Sequence, residues 1–228
     1  MTQKRKNDFL KPLGAVAERI KSALATRNGT MKATDVLKFQ HKEVDGLFMS
    51  IERVSDRRDK LALFDELATN LVAHDAIERE IFYPVCERAL GEQELLTEAL
   101  VEHGLVEFAL YQADRARGSN DFAAKVKALK EIVKHHVKEE EHNLFPKVER
   151  ALSKEQLETL GAKLESAFED ATAKQFREPL YDNLQQVLEG AVKTKPKKKA
   201  KVGKKSKKTG QAAPRKRTTK ANKRTRAA

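Results

Sequence analysis

The chain has 228 residues, 39% of them apolar and 35% charged, with a formal net charge of +12. Its single cysteine, Cys86, excludes an intramolecular disulfide and a cysteine-built zinc cluster, and fits a reducing compartment. No apolar run approaches the ~18 residues a transmembrane helix needs, and MTQKRKNDFLKPLGAV lacks the apolar core of a secretory signal, so a soluble cytoplasmic protein is expected.

The charge is unevenly spread. Residues 191–228 hold 17 Lys and Arg and no acid, and residues 1–32 hold 8 basic and 2 acidic residues. Residues 33–190 hold 21 basic against 32 acidic residues, a net of −11. An acidic body with basic ends points to tails that meet nucleic acid or a membrane surface.

Taken in chain order, residues 1–32 read as a basic arm. Within it Leu13, Val16, Ala17, Ile20 and Leu24 recur at helical spacing, and Asn28-Gly29 stops that short amphipathic helix. Thr34 or Asp35 can cap the next helix, whose apolar stripe is Val36, Leu37, Phe39, Val44, Leu47, Phe48 and Ile51, with His41 near its middle. After a polar turn at Ser55–Asp59, a long helix carries Leu61, Phe64, Leu67, Leu71, His74, Ile77, Glu78 and Phe82. Pro84 is expected to kink it or to open a separate segment that Gly91 ends. A third helix spans about Gln93–Arg117 and presents Leu96, Leu100, His103, Val106 and Leu110. A Gly118–Asp121 turn supplies a cap for the fourth helix, about Phe122–Leu152, with Val126, Leu129, Val133, His136, Glu140 and Leu144 inward. Ser153 and Gln156 read as a capping box for a helix to about Ala173, and a last helix spans about Leu180–Glu189. Beyond Lys193 the composition cannot bury apolar surface and repels itself, so a disordered tail is expected.

The fold class is therefore all-α. Residues 33–152 form an up-down-up-down antiparallel four-helix bundle, residues 153–190 a helical extension, and residues 191–228 a disordered basic tail.

The bundle contains a repeat. His74 and His136 are each followed four residues later by a Glu (Glu78, Glu140) and ten residues later by a Pro (Pro84, Pro146). His41 precedes His74 by 33 residues, as His103 precedes His136, so the halves are 62 residues apart. On a helix, positions i and i+4 lie within ~40° on one face and roughly 6 Å apart along the axis. Each His-Glu pair can thus present an imidazole nitrogen and a carboxylate to one point. With His41, His74, His103 and His136 toward the bundle axis, Glu78 and Glu140 can bridge two cations. Four His and two carboxylates suit a redox-active first-row pair such as iron better than Mg or Ca. A ferritin-like site needs two Glu-x-x-His motifs, and Glu139-x-x-His142 has no partner. His135 and Glu139 also have the four-residue spacing, but the proline spacing and the repeat select His136. His135 and His142 are expected near the surface, and Cys86 as a buried or half-buried bystander.

DVLKFQHKEVDGLF, LVAHDAIEREIFYP, LVEHGLVEF and HHVKEEEHNLFP, over roughly residues 34–150, resemble the hemerythrin-like, HHE cation-binding domain. The resemblance implies two iron ions with an oxo or hydroxo bridge. It implies the ligands His41, His74, Glu78, His103, His136 and Glu140, with both Glu bridging. Oxygen-carrying hemerythrins use five His, with His-x3-His in the third helix, and space their last pair as His-x4-Asp. Here Ala99 and Glu107 flank His103, so the fifth His is absent, and Glu141 stands at the Asp position as an alternative to Glu140. An iron left open, or completed by Glu107, Glu102 or Asp45, favours reaction with O2, peroxide or NO, or sensing of iron and oxidants, over simple oxygen carriage. Peroxide or NO reduction is the enzymatic form of that expectation.

The tail resembles the Lys-, Ala- and Pro-rich tails of linker-histone-like proteins. Lys195, Lys197, Lys198, Lys199, Lys201, Lys204, Lys205, Lys207, Lys208, Arg215, Lys216 and Arg217 can each neutralise a phosphate and release a counterion. No aromatic residue follows Tyr181, so bases find no stacking platform. Non-specific, salt-dependent binding of DNA or RNA is expected, with a nucleoid location. The contrasting reading is a nucleoid-associated structural DNA-binding protein whose bundle is a scaffold with a structural or vestigial metal site.

Overall fold

The computed structural model describes residues 30–188. The expected N-terminal amphipathic helix and the Lys-rich tail lie outside the described residues. Within them the elements are α1 (Ala33–Arg53), α2 (Arg57–Ile77), α3 (Tyr83–Leu90), α4 (Gln93–Arg115), α5 (Phe122–Glu139), α6 (Phe145–Ala151), α7 (Lys154–Thr172) and α8 (Arg177–Leu188). Two π-helical turns, Glu78–Phe82 and Glu140–Leu144, join α2 to α3 and α5 to α6. The chain is all-α, a helical bundle with added helices, and no strand occurs among the described residues.

α1 packs on α2 and α4 on α5, while α7 lies against both α1 and α2 and α8 against α4. Asp56 caps α2 by accepting from the backbone N–H groups of Arg58 and Asp59 at 2.8 and 3.1 Å. Ser153 and Gln156 form the expected capping box at α7. Gly91, at φ 66°, ends α3 in the left-handed conformation that favours glycine.

Several boundaries and caps differ from the expected ones: the last helix starts at Arg177 rather than Leu180, and the fourth ends as an α-helix at Glu139 rather than Leu152. α1 starts at Ala33, and Lys32 at its cap position makes no side-chain cap bond. The Thr34 hydroxyl instead donates to Glu149 Oε1 at 2.6 Å, a tertiary bond to α6 that removes it from capping. Asp121 stands at the α5 cap position without a side-chain cap bond. α4 stops at Arg115 rather than Arg117, because the Arg117 guanidinium turns back to hold both oxygens of Asp65 at 2.6 and 2.7 Å.

Neither proline makes a simple kink. A proline ring inside an α-helix clashes with the carbonyl four residues back and has no N–H to donate to it. The chain relieves this by widening one turn before each proline. The Tyr83 N–H donates to the Glu78 carbonyl and the Phe145 N–H to the Glu140 carbonyl, five residues apart in each case. Pro84 and Pro146 then fall in the first turn of α3 and α6.

The apolar core has two parts. One gathers Leu37, Ala73, Ile77, Phe82, Leu100, Leu144 and Phe145 with the inner face of α7. The other gathers Val44, Phe48, Leu67, Leu71, Leu110, Leu129 and Val133 with Leu180 and Leu184 of α8. On each bundle helix the functional His falls at the seam between them. Gly161 fixes how closely α7 approaches the start of α1, since a Cβ there would stand 2.1 Å from the Met31 carbonyl oxygen. Backbone cannot yield as a side-chain tip does, so Gly161→Ala is expected to cost about 3 kcal/mol, the upper part of the usual overpacking range. Denaturant unfolding measures this.

Candidate metal centre

All four seam histidines are buried, as are Glu78 at 0% and Glu140 at 2% exposure. Two groups of donor atoms result. His41, His74, Glu78 and Glu140 converge in one, and Glu78, His103, His136 and Glu140 in the other, each with its donor atoms within 4.8 Å of one another. The two carboxylates belong to both groups.

The spacing of the nitrogens is informative. His41 Nε2 and His74 Nε2 are 3.2 Å apart, and His103 Nε2 and His136 Nε2 are 2.9 Å apart. Imidazole nitrogens sit about 2.1 Å from such an ion, so two at right angles are about 3.0 Å apart. The carboxylate edges are similar: Glu78 Oε2 lies 3.1 Å from His74 Nε2 and 3.3 Å from His103 Nε2, and Glu140 Oε2 lies 3.3 Å from His41 Nε2 and 3.5 Å from His136 Nε2.

Every seam histidine is oriented through its other nitrogen. The Nδ1 atoms of His41, His74 and His136 meet Glu141 Oε1 at 2.8 Å, Gln40 Oε1 at 2.7 Å and Glu102 Oε2 at 2.9 Å. His103 Nδ1 meets Asp75 Oδ1. A carboxylate or amide oxygen only accepts, so each Nδ1 carries a proton and Nε2 is the nitrogen turned to the centre, protonated in metal-free His41 and His103 and able to offer a lone pair once a cation displaces that proton. This is the outer support that metal-binding histidines use.

Glu78 and Glu140 Oε2 are buried with no donor near them except the seam histidines themselves. Two buried carboxylates among four imidazoles need positive charge between them, which protons on His41 and His103 supply in metal-free protein and cations supply when bound. The donor set therefore fits a pair of first-row ions: His41 and His74 for one, His103 and His136 for the other, with Glu78 and Glu140 shared.

The candidates for completing an iron fall elsewhere. Glu141 and Glu102 are occupied as Nδ1 partners, because each follows or precedes its helix's inward position by one residue. Glu107 accepts from Arg79 Nη2 at 3.3 Å and from Asn183 Nδ2 at 2.7 Å. Asp45 is in neither donor group. His135 and His142 are exposed, as expected. Cys86 is buried, and burial pushes its thiol up, away from the reactive thiolate.

Four residues were not picked out from the sequence. Gln40 was one, and its signal was available: it precedes His41 as Glu102 precedes His103, again 62 residues apart. Asp75 is held by Arg79 Nε at 2.6 Å and by Asn183 Nδ2 at 3.2 Å. Asn183 belongs to α8, whose approach to α4 is close enough that a Cβ on Gly104 would meet Val187 Cγ1 at 3.2 Å. Tyr83 Oη stands 2.8 Å from His103 Nε2 and donates to Glu140 Oε1 at 2.9 Å. Beside the histidines lies a cavity of about 30 Å³ walled by Val44, Leu71, Val72, Val106, Leu110 and Val133, large enough for a water-sized guest.

The buried charges set a pH dependence. Burial alone would lower His41 and His103, but Glu140 and Glu141 raise His41 to about 9, and Asp75 and Glu78 raise His103 to about 10, both from 6.5. In metal-free protein the stabilisation from these imidazolium ions is fully present below pH 6.5. It is lost as the pH rises through 9 and 10. Bound cations displace those protons. Thermal melts are expected to show metal-free protein losing stability between neutral pH and pH 10, and metal-loaded protein losing much less.

A buried N/O donor set in the seam of an antiparallel bundle defines the class, a metal-binding helical bundle. Residues 32–148 match the hemerythrin HHE cation binding domain, and the chain belongs to that family. A DNA nickase of Nostoc sp. is 30% identical over 140 residues, 60% of this chain and 39% of the relative. An uncharacterized hemerythrin-like protein of Schizosaccharomyces pombe is 28% identical over 129 residues, 55% of this chain and 63% of the relative. The chain thus spans less than two thirds of either curated relative. The crystal structure of a hemerythrin HHE cation binding domain-containing protein from Mycobacterium kansasii is 26% identical, with a TM-score of 0.59 over 68% of this chain and 99% of that one.

Proposed function

We propose that the protein is a cytoplasmic non-haem di-iron protein that binds, reduces or senses O2, H2O2 or NO, and that its tail holds it on DNA or RNA. The observation that carries the first half is the pair of buried carboxylates, Glu78 and Glu140, each shared by two groups of seam-histidine nitrogens. His41, His74, His103, His136, Glu78 and Glu140 would hold the irons, which supply electron exchange with a small ligand. The protein's own part is positional. Gln40, Glu102, Glu141 and Asp75 fix the tautomers, and the small valine- and leucine-walled cavity admits a ligand of a few atoms while limiting bulk water.

For the second half, the tail offers 17 cationic residues without a counter-charge. The Nostoc relative, by its name, acts on DNA, and this supports nucleic acid over anionic lipid.

Aerobic purification, metal counting and a visible spectrum test the first half. About two irons per chain are expected, with the absorption of an oxo-bridged ferric pair lost in His74→Ala. Absence of iron, or a spectrum indifferent to His74→Ala, rejects it. Iron that stays inert to O2, peroxide and NO favours the scaffold reading.

A further inference from the structure

We propose that the solvent face of α4 is the interface of a two-fold dimer, in which α4 of one copy lies antiparallel on α4 of a second copy. Three of the six large apolar side chains exposed among the described residues are on this face: Val101, Leu105 and Phe108, each more than half exposed. They are not scattered. From Glu94 through Glu98, Val101, Leu105 and Phe108 to Arg115, the solvent-facing positions follow steps of 4, 3, 4, 3 and 7 residues. That is the heptad seam along which two helices interlock. The flanks of α4 are already covered by α5 and α8, so this stripe is the face left open.

The ends of the stripe indicate what covers it. Its first turns carry Glu94 and Glu98 and its last carries Arg115, and none of the three has an ion-pair partner among the described residues. The apolar turns, Val101 to Phe108, are centred between residues 104 and 105, and so is the span from Glu94 to Arg115. A two-fold axis at that point lays apolar turns on apolar turns and sets Arg115 of each copy against the acids of the other. A parallel pairing would set acid against acid. Self-complementarity of this kind is what a two-fold interface requires, and a face made for a different partner has no need of it. One helix pair of this length reaches the lower end of specific interfaces, about 1,200 Å² in total, so the dimer dissociates on dilution. Pairing also puts two tails of 17 cations each in one particle, so the second meets a polyanion at raised effective concentration once the first is bound. That consequence rests on the tail reading above, whereas the pairing does not.

Sedimentation equilibrium of the full-length protein, freed of nucleic acid, tests this over about 1 to 100 μM, the range suited to a small interface. The expected result is a mass that rises from one chain to two with concentration. Leu105→Glu, at an exposed position outside both donor groups, should stay monomeric throughout with its circular dichroism unchanged. Arg115→Glu sets like charges together and should weaken pairing about tenfold or more. Adding Glu94→Arg and Glu98→Arg to Arg115→Glu should restore it, which unspecific stickiness would not do. Monomer at every concentration overturns the proposal. So does a dimer that ignores Leu105→Glu or is not rescued by the charge swap. A dimer that forms only when residues 1–29 are deleted also overturns it, and makes the chain's own basic arm the occupant of the stripe.

Discussion

Glu78→Ala is expected to empty both cation positions, whereas His41→Ala is expected to weaken one. Glu78 belongs to both donor groups, while His41 belongs only to the first. Removing a shared carboxylate takes one anionic donor from each ion and leaves two cations facing each other with less charge between them. Removing one imidazole leaves the His103–His136 side with its donors in place. Metal content measured after gel filtration should therefore fall close to zero for Glu78→Ala and by about half for His41→Ala. Stability should follow, because a ligand at a thousand times its dissociation constant stabilises the folded state by about 4 kcal/mol. Retention of one full iron by Glu78→Ala would refute the shared role.

Deleting residues 191–228 is expected to remove most DNA binding while leaving the iron content unchanged. Residues 33–190 form an acidic body of net −11, which repels phosphate, and the 17 cations of the tail outnumber the 8 of residues 1–32, so most of the affinity should come from the tail. If about eight of the tail's cations contact phosphate, affinity should fall roughly 10⁴-fold between 50 and 200 mM salt. A titration against salt checks both the slope and its loss on truncation. Binding that survives truncation would place the nucleic-acid surface on the basic arm of residues 1–32 or on the body instead.

These two experiments probe features of different legibility. The tail's composition is visible at a glance, because a run of cations without apolar residues has no core to build. The His and Glu pattern is legible because a helix of known pitch converts spacing into direction. A repeat of 62 residues separates His136 from His135 without any coordinates, and the structure places His136 at 5% exposure and leaves His135 on the surface. The helix boundaries were less legible where a tertiary partner competes for the capping side chain, as Glu149 does for Thr34.

The chain's order of residues settles which helices form, which face each presents, and which six side chains share the seam, since all of these follow from local periodicity. The α pitch also conceals something. It points Tyr83 away from Glu78, and only the π turns forced by Pro84 and Pro146 bring positions 83 and 145 to the centre. Likewise, Asp75, Asn183 and Glu107 lie on three different helices and meet only when α8 docks on α4. No spacing rule links residues 75, 107 and 183. Which carboxylates orient histidines and which pair with Arg79 was decided by packing, because those roles depend on where a neighbouring helix puts its donors.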